Sequence, residues 1–367
     1  MVRGTLRDTF HRWLDEADAV LVGAGAGLSA AAGYDYGDAD RFRELLPALH
    51  RLGLRSRYLL GVPLPPDMMW GYWAVHITDI RYGTGANPLY RRLHELVGDR
   101  DHWVLTSNVD GLFARNGFAP DRIFTPQGDY GFLQCTTPCT RETWPSAPFL
   151  ERILAAYDRE TGRVRDPGAL PVCPNCGGEV FPNVRVGPGF VDDAFMPTGE
   201  RLAKWLSQFP LAEWLSHSTT DRTTHATRTT HAGHAAHPTN VGRLAKWPNH
   251  SATAHPADAP SPTHPLAKWL SHSATDHSPT DHPMAQWPNH SATTPTPTPT
   301  PPPTLLALEL GAGFNTPGVI RHPLENLVRH TPGARLVRIN PNHPEVPADL
   351  GRRALSIPVR ADDFLVP

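Results

Sequence analysis

The sequence predicts an α/β fold with a mostly parallel sheet, and three observations carry this prediction. An apolar run at residues 20–22 is followed at once by Gly23, Gly25 and Gly27, and then by an alanine-rich segment suited to the start of a helix. Further apolar runs recur along the chain, and most of them end in Gly, Asn or Asp. Such strand ends meet along one edge of a Rossmann-like sheet, where ligands bind.

The remaining elements follow from periodicity and from helix-breaking residues. An amphipathic helix is predicted near residues 5–17, and several helices are predicted between residues 41 and 94, interrupted at Pro47 and at two Gly/Pro segments. Further strands are predicted at residues 102–106, 122–124, 305–310, 335–339 and 354–359. The last is expected at a sheet edge because Pro358 cannot donate to a strand ladder.

Composition limits the function classes. The 367 residues allow one large domain or two smaller ones, and the formal net charge is −2. This balance gives no reason to expect a nucleic acid or an anionic membrane as a partner. No apolar run reaches the roughly 18 residues of a membrane span, and the acidic residues among the first 19 argue against a signal peptide. The expected location is the cytoplasm.

The glycine-rich loop is the first candidate site. Gly25, Gly27 and Ala30 fit the G-x-G-x-x-A pattern in which glycines let the backbone approach a phosphate at a helix N-terminus. A tight strand-to-helix turn without a ligand fits the same residues. Glu44 has the spacing of the ribose-binding acid of dehydrogenases, but it lies in a helical segment. The loop therefore indicates a nucleotide, but not an ordinary hydride-transfer dehydrogenase.

Polar residues also leave the later strands. The strand at 122–124 ends in a polar, glycine-containing exit at 125–131. Asn108 and Asp110 follow the strand at 102–106, and Asn340 follows the strand at 335–339. Each alone fits strand-end capping or turn formation. Because the carboxyl ends of parallel strands share one edge, these residues together favour one ligand cleft.

The four cysteines form two closely spaced pairs. Cys135 and Cys139 are followed, after a gap at 140–172, by Cys173 and Cys176 in the pattern Cys-Pro-Asn-Cys-Gly-Gly. Four thiolates in two knuckles give a closed tetrahedral site, so we predict one structural zinc ion. Disulfide bonds are the alternative, which a cytoplasmic location disfavours.

Residues 207–304 have a different composition. Leu-Ala-Lys-Trp recurs, His, Pro, Thr and Ser dominate, and Thr-Pro alternates near the end. This composition predicts a disordered, degenerate repeat insertion, with a His-rich metal-binding tract as the alternative. The predicted division is a first Rossmann-like part at 1–134, a zinc module at 135–180, a return at 181–206, the insertion, and a last Rossmann-like part at 305–367.

Taken together, these motifs resemble the sirtuin family of NAD-dependent enzymes. Residues 25–29 look like the sirtuin Gly-Ala-Gly-x-Ser loop, and residues 106–110 are similar to Thr-x-Asn-x-Asp. The cysteine pairs and the segment 311–313 stand where sirtuins carry their zinc and a further cofactor-binding segment. The resemblance covers about residues 5–200 and 305–365.

The resemblance implies the site residues. It implies catalytic roles for Asn108, Asp110 and Gln127. It implies that NAD is bound by Gly25, Ala26, Gly27, Ser29, Gly33, Asn108, Asp110, Gln127, Gly311, Gly313, Asn315 and Asn340.

Two departures from the usual sirtuin pattern indicate a subfamily. Gln127 replaces the usual histidine before Gly128, and Asp-Tyr-Gly-Asp at 35–38 replaces Pro-Asp-Phe-Arg. Residues 127–131 and 313–317 look like the macrodomain-linked microbial sirtuins. The resemblance implies that these are protein ADP-ribosyltransferases acting on a lipoyl-carrying, glycine-cleavage H-like protein, with a macrodomain as a further partner.

The chemistry of Gln127 agrees with this assignment. Deacylation needs a base for a ribose hydroxyl proton, and histidine suits that task because its pKa lies near neutral pH. A glutamine amide cannot accept the proton. Loss of nicotinamide through a cationic ribose needs only positioning and electrostatic support, so we predict ADP-ribosyl transfer.

Two alternatives remain. One is a protein deacylase that uses another histidine, such as His76 or His322. The other is an NAD- or ADP-ribose-binding module that has lost catalysis. The presence of Asn108 and Asp110 argues against this alternative.

Overall fold

A computed structural model describes residues 2–83, 85–209 and 303–366. The strands in this part of the chain are β1 (Ala19–Ala24), β2 (Asp101–Thr106), β3 (Ile123–Phe124), β4 (Gly128–Cys135), β5 (Trp144–Pro145), β6 (Tyr157–Asp158), β7 (Arg163–Val164), β8 (Val180–Val184), β9 (Leu305–Leu310), β10 (Arg335–Ile339) and β11 (Ala354–Ile357). The helices are α1 (Val2–Asp15), α2 (Ala26–Ala31), α3 (Ala39–Leu45), α4 (Pro47–Arg51), α5 (Pro66–Arg81), α6 (Pro88–Val97), α7 (Leu112–Arg115), α8 (Ala147–Ala155), α9 (Met196–Leu206), α10 (Arg321–His330) and α11 (Ala361–Leu365).

The main sheet has six strands in the order β11-β10-β9-β1-β2-β3, and every pairing is parallel. All six residues of β1 and of β9 are buried. Alternate residues supply two cores: Val20 and Val22 pack with α1, α6 and α11, whereas Leu21 packs with α9 and α10. Helices on both faces explain the continuous apolar runs. The predicted Rossmann-like α/β class is confirmed, with β11 at the edge.

The order of the strands places a crevice at the carboxyl ends of β1 and β9. The chain runs outward from β1 to β2 and β3, and then returns to the other side of β1 with β9. Ligands of open α/β sheets bind at such a switch point. The loops that begin at Gly25 and Gly311 meet there, because Ala24 pairs with Leu310.

A second layer lies beside the main sheet. Helices α3, α4, α5 and α8 share a core with the antiparallel sheet β5-β4-β8. Residues 128–131, read from the sequence as a polar exit, belong to β4 instead. Gly128 turns the chain into this strand with φ of 99°, and a Cβ there would lie 2.0 Å from the Asn183 carbonyl oxygen.

Most of the predicted insertion at 207–304 lies outside the described residues. Before it, Phe209 packs on Trp205 of α9. After it, Thr304 is bonded to the residue before β1: its backbone N–H donates to Asp18 Oδ2 over 2.8 Å, and its carbonyl accepts from the Asp18 and Ala19 N–H groups. No helix in the described part is long and apolar enough to cross a membrane.

Candidate functional site

The glycine loop is shaped by contact with the loop after β9. The Gly27 N–H donates to the Gly311 carbonyl over 3.0 Å, and the Gly25 N–H donates to the Leu310 carbonyl over 3.0 Å. A Cβ on Gly25 would lie 2.7 Å from the Ala312 Cα, and one on Gly27 would lie 2.8 Å from the Gly311 Cα. Both glycines are therefore required by the approach of two backbones, whatever they bind.

Gly33 ends helix α2. Its φ is 90°, its N–H donates to the Ala30 carbonyl, and the Tyr34 N–H donates to the Ser29 carbonyl. These two bonds form a Schellman motif, in which glycine takes the left-handed position. No atom outside its immediate neighbours would lie within 4 Å of a Cβ at Gly33. Gly33 thus directs residues 34–36 toward the pocket described below.

Three side chains predicted to bind the cofactor meet in one buried hydrogen-bond network. The Ser29 hydroxyl donates to Asp110 Oδ2 over 2.5 Å, and Asn108 Nδ2 donates to Ser29 Oγ over 3.1 Å. Asn108 Nδ2 also lies 3.1 Å from the Gly25 carbonyl, and the Leu112 N–H donates to Asp110 Oδ1 over 3.0 Å. The network joins the end of β1 to the end of β2.

The Asp110 carboxyl group is buried, and the charges of Asp129 and Arg115 act on it. Among the residues that the structure describes, no Lys, Arg or His side chain forms a salt bridge with Asp110. Burial raises the pKa of Asp110, although the bonds from Ser29 and the Leu112 N–H oppose that shift. A carboxylate held in this way favours any cation that approaches it.

A pocket of about 130 Å³ opens beside this network. Its walls are Ala26, Ser29, Ala30, Tyr34, Asp35, Tyr36, Tyr58, Ser107, Asn108, Val109, Asp110 and Tyr130. Burial raises the pKa of Tyr36 and, to about 12, the pKa of Tyr130. Tyr58 was missed by the sequence reading, because it reaches the pocket from the loop between α4 and α5 and no local pattern marks it.

Gln127 is not among the residues that line this pocket. It is half-buried, and its carbonyl accepts a hydrogen bond from the Arg185 N–H over 2.9 Å. The role of Gln127 therefore stays a prediction from the family resemblance.

The loops after β9 and β10 hold the remaining predicted cofactor residues. Gly313 and Asn315 are exposed. Asn340 is buried: its Nδ2 donates to the Ala312 carbonyl over 2.9 Å, and its Oδ1 accepts from the N–H groups of Asn342 and His343. The Asn340 side chain therefore joins the two loops.

Arg321 of α10 also joins these two loops, although it belongs to no recognisable sequence motif. Its guanidinium donates to the Ala312 carbonyl over 3.1 Å and to the His343 carbonyl over 3.0 Å. Glu309 lies 3.6 Å away, and Arg338 forms a bidentate pair with Glu309 at 2.7 Å for both bonds. Only the folded chain brings these charges together, so no spacing in the sequence predicts them.

The four cysteines come together as predicted. Their four Sγ atoms all lie within 4.8 Å of one another. The Sγ atoms of Cys135 and Cys176 are 3.8 Å apart, and those of Cys139 and Cys173 are 3.6 Å apart. A disulfide needs about 2.05 Å, whereas tetrahedral zinc with Zn–S bonds of about 2.3 Å separates its sulfurs by about 3.8 Å. The cluster therefore fits one structural zinc ion.

The two histidines offered as substitute bases are placed differently. His76 of α5 is fully buried among the rings of Tyr36, Tyr72, Trp73 and Tyr130, and neither ring nitrogen has a hydrogen-bond partner in the described structure. Burial lowers its pKa to about 3. His322 is exposed on α10 and does not line the pocket.

Curated proteins similar to this chain carry three activities in their names: ADP-ribose hydrolysis, ADP-ribosyl transfer and NAD-dependent protein deacylation. A probable bifunctional ADP-ribose hydrolase/ADP-ribosyltransferase of Fusarium oxysporum f. sp. cubense is 37% identical over 204 residues, which are 54% of this chain and 34% of the relative. A protein ADP-ribosyltransferase of Staphylococcus aureus is 29% identical over 49% of this chain and 58% of the relative. An NAD-dependent protein deacylase of Pseudomonas aeruginosa is 28% identical over 46% of this chain and 61% of the relative.

The matched part of the chain thus spans about a third of the fungal relative and about three fifths of the two bacterial ones. No protein-family model matches the chain. Among solved structures, a Sir2 homologue in complex with NAD is 13% identical, with a TM-score of 0.48, over 98% of this chain and 90% of its own. A Sir2 homologue variant in complex with 2′-O-acetyl-ADP-ribose is 14% identical, with a TM-score of 0.46, over 97% and 92%.

Proposed function

We propose that this chain, which is similar to sirtuins and to protein ADP-ribosyltransferases, cleaves NAD to nicotinamide and transfers the ADP-ribose to a protein acceptor. The observation that carries the proposal is the buried Asp110 carboxylate on the pocket wall, which has no salt-bridge partner among the described side chains. The nicotinamide ring of NAD is cationic before cleavage, and the ribose carbon becomes cationic as nicotinamide leaves. A fixed carboxylate stabilises that charge where it develops.

The other residues of the network take positioning roles in this proposal. Asn108 binds the ribose or a water, with its amide oriented by Ser29 Oγ and the Gly25 carbonyl. Gln127 donates to or accepts from the ribose hydroxyls but takes no proton. The segments that contain Gly27, Gly313 and Asn315 contact the rest of the dinucleotide. The cysteine cluster holds one zinc ion away from the reaction.

For the acceptor we propose a lipoylated, glycine-cleavage H-like carrier protein, as the family resemblance implies. A macrodomain-type ADP-ribose hydrolase is the proposed partner that reverses the modification. The name of the fungal relative pairs a hydrolase with a transferase, which supports this pairing.

The test is a paired assay with labelled NAD. The chain is incubated with an acyl-lysine peptide in one tube and with the lipoylated carrier in the other. We expect label on the carrier, release of nicotinamide, and no O-acyl-ADP-ribose. Peptide deacylation without labelled carrier would contradict transfer, and no nicotinamide release in either tube would favour a binding module.

Two variants link the assay to the site. Asp110→Asn keeps the side-chain size but removes the negative charge, so nicotinamide release should fall by about a hundredfold or more. Asp99→Asn, an acidic residue that does not line the pocket, serves as the control. Equal activity in both variants would remove Asp110 from the mechanism.

Protein deacylation is the second candidate function, and the name of the Pseudomonas relative favours it. It would need a base for the ribose hydroxyl. His76 is buried behind the tyrosines with a pKa of about 3, which makes it a poor acceptor of that proton. Gln127→His tests this candidate: deacylation gained by the variant would identify the glutamine as the determinant of reaction type.

A further inference from the structure

An ion pair lies beside Asp110, and the inference drawn from it rests on the proposed function, in which Asp110 supports the cleavage of NAD. The pair consists of Arg81, the last residue of α5, and Asp129, the second residue of β4. Arg81 Nε donates to Asp129 Oδ1 over 2.7 Å, and Arg81 Nη2 donates to Asp129 Oδ2 over 3.2 Å. The contact is therefore bidentate, and it joins α5 to the strand that follows Gln127.

The Arg81 guanidinium lies against the residue that follows Asp110. A Cβ on Gly111 would lie 2.6 Å from the Arg81 Cζ and Nε atoms, and a Cβ on Gly131 would lie 3.1 Å from its Nη2. Two glycines thus leave the space that this side chain occupies between the loop after β2 and the start of β4. The charges of the pair are held beside the backbone that carries Asp110.

The two carboxylates influence each other. Burial is the largest cause of the raised pKa of Asp110, and the charge of Asp129 adds to it. A like charge near a buried carboxyl group opposes its ionisation. Asp110 in turn is one of the carboxylates whose charge acts on Arg81. The ion pair and Asp110 therefore form one electrostatic unit.

The other ionisable side chains coupled to Asp110 leave this unit unchanged near neutral pH. In the described part of the chain they are Tyr36, Tyr90, Tyr130 and Arg115. Burial is the largest cause of the raised pKa of each tyrosine, so all three stay neutral. Arg115 donates to uncharged groups, the Tyr34 hydroxyl over 2.7 Å and the Ile80 carbonyl over 3.1 Å. Arg81 is thus the cation that binds the second carboxylate.

We propose that Arg81 is a positioning residue for the cleavage of NAD: by binding Asp129 it neutralises the second carboxylate, and Asp110 keeps the negative charge that faces the cationic ribose. Asp129 in turn holds Arg81 away from Asp110. Without Asp129, the guanidinium would be free to pair with Asp110 and to cancel the charge needed at the ribose carbon. The two members of the pair therefore act on Asp110 in opposite directions.

Single and double variants separate these directions. Arg81→Gln leaves Asp129 negative, so Asp110 becomes harder to ionise and the acidic limb of the pH profile should move up by about 0.5–1 unit. Asp129→Asn leaves Arg81 positive, so the limb should move down by a similar amount. The rate above the limb should fall about tenfold in Asp129→Asn, because a free cation opposes the developing charge. The double variant should return both values close to those of the unmutated chain.

The same helix offers a matched control. Arg163 Nη1 donates to Asp67 Oδ2 over 2.9 Å near the start of α5, and neither residue lines the pocket. Arg163→Gln therefore removes an arginine–aspartate pair without changing the charges around Asp110, and it should leave the profile unchanged. Arg81→Lys keeps the cation and should also retain the profile of the unmutated chain.

Two measurements are made on each full-length variant. Release of labelled nicotinamide from NAD, with the lipoylated carrier present, is followed from pH 4.5 to 9, and circular dichroism confirms the fold at each pH. Carbon-13 NMR of protein labelled at aspartate Cγ follows the titration of Asp110 without NAD, with Asp110→Asn identifying its signal. The second measurement does not depend on catalysis.

Opposite shifts in the two single variants, cancelled in the double variant, would support the assignment. Shifts of the same sign would overturn it, because they would indicate a common loss of structure, and unchanged profiles would overturn it as well. If the Asp110 signal shifts as expected but the unmutated chain releases no nicotinamide, the proposed function fails while the coupling of Arg81 to Asp110 stands. The two failures are therefore distinguishable.

Discussion

The Ser29 hydroxyl of α2 lies 2.5 Å from Asp110 Oδ2, so a residue after β1 holds a carboxylate after β2. The same hydroxyl accepts from Asn108 Nδ2. One small side chain therefore orients Asn108 and Asp110, two of the three residues for which the family resemblance implies catalytic roles.

Replacing Ser29 by alanine should disturb this arrangement without filling or opening much space. Asp110 loses a donor in a buried site, which costs about 1–3 kcal/mol of folding free energy. Nicotinamide release should fall at least about tenfold, equivalent to about 1.4 kcal/mol in the barrier. Ser107→Ala is the control on the same pocket wall. Equal rates for the two variants would show that the Ser29 bond does not matter for cleavage.

The glycines of the β9 loop should respond very differently to alanine. Gly311 has φ of 59°, and a Cβ there would lie 2.4 Å from the Leu28 backbone nitrogen. Gly311→Ala should therefore lower the free energy of unfolding by roughly 1–3 kcal/mol. Gly313 has no atom within 4 Å of an added Cβ, so Gly313→Ala should stay within about 0.5 kcal/mol. Urea denaturation of both variants measures the difference, and similar losses would contradict the packing argument.

His76 should make the protein sensitive to mild acid. Its pKa is about 3 when folded and about 6.5 when unfolded, so between these values the unfolded chain binds more protons. The stability associated with neutral His76 is present above pH 6.5 and is lost as the pH falls toward 3. By pH 5 the loss should reach roughly 2 kcal/mol.

His76→Phe removes the titrating group while keeping a ring in the aromatic cluster. Urea unfolding at pH 7 and pH 5 should show a smaller loss of stability in the variant than in the unmutated chain. Equal losses in both proteins would mean that other groups account for the acid sensitivity.

The cysteine cluster should bind one zinc ion per chain. Cys139→Ser removes an exposed ligand and should abolish stoichiometric zinc. Asn175→Ala removes the amide that donates to Cys139 Sγ over 3.2 Å, so it should keep the stoichiometry but weaken affinity by about 10–100-fold. Competition with a chromophoric chelator measures both. Full zinc retention by Cys139→Ser would contradict a four-cysteine site.

The main sheet could be predicted because its signals are local. Val20 and Val22 alternate with Leu21 across two covered faces, and glycine follows the strand at once. Residues 128–131 were misread because their glycines suggested a loop, although Gly128 only turns the chain into β4. Residues 128–131 form a strand because β4 pairs with β8. This pairing could not be predicted, because β4 and β8 are far apart in the sequence.

The candidate site was predictable only where residues follow a strand directly. Asn108 and Asp110 leave β2 and therefore reach the switch point. Tyr58 lies on the pocket wall but belongs to a distant segment of the chain. Arg321 is also distant in sequence, and it binds backbone carbonyls. Neither kind of contact leaves a pattern in the sequence. Asn340 was found, but only the folded chain reveals the hydrogen bonds by which its side chain joins the two loops.

The bonds between Thr304 and Asp18 set where β9 begins beside β1, so that Ala19 stands opposite Leu305. This register also places Gly27 next to Gly311 at the other end of the two strands. It does not depend on the number of residues that precede Thr304. Each doubling of a connecting segment adds only about 0.6 kcal/mol of closure entropy. Insertion or deletion of Leu-Ala-Lys-Trp units after Phe209 would therefore leave the register of β9 with β1 unchanged.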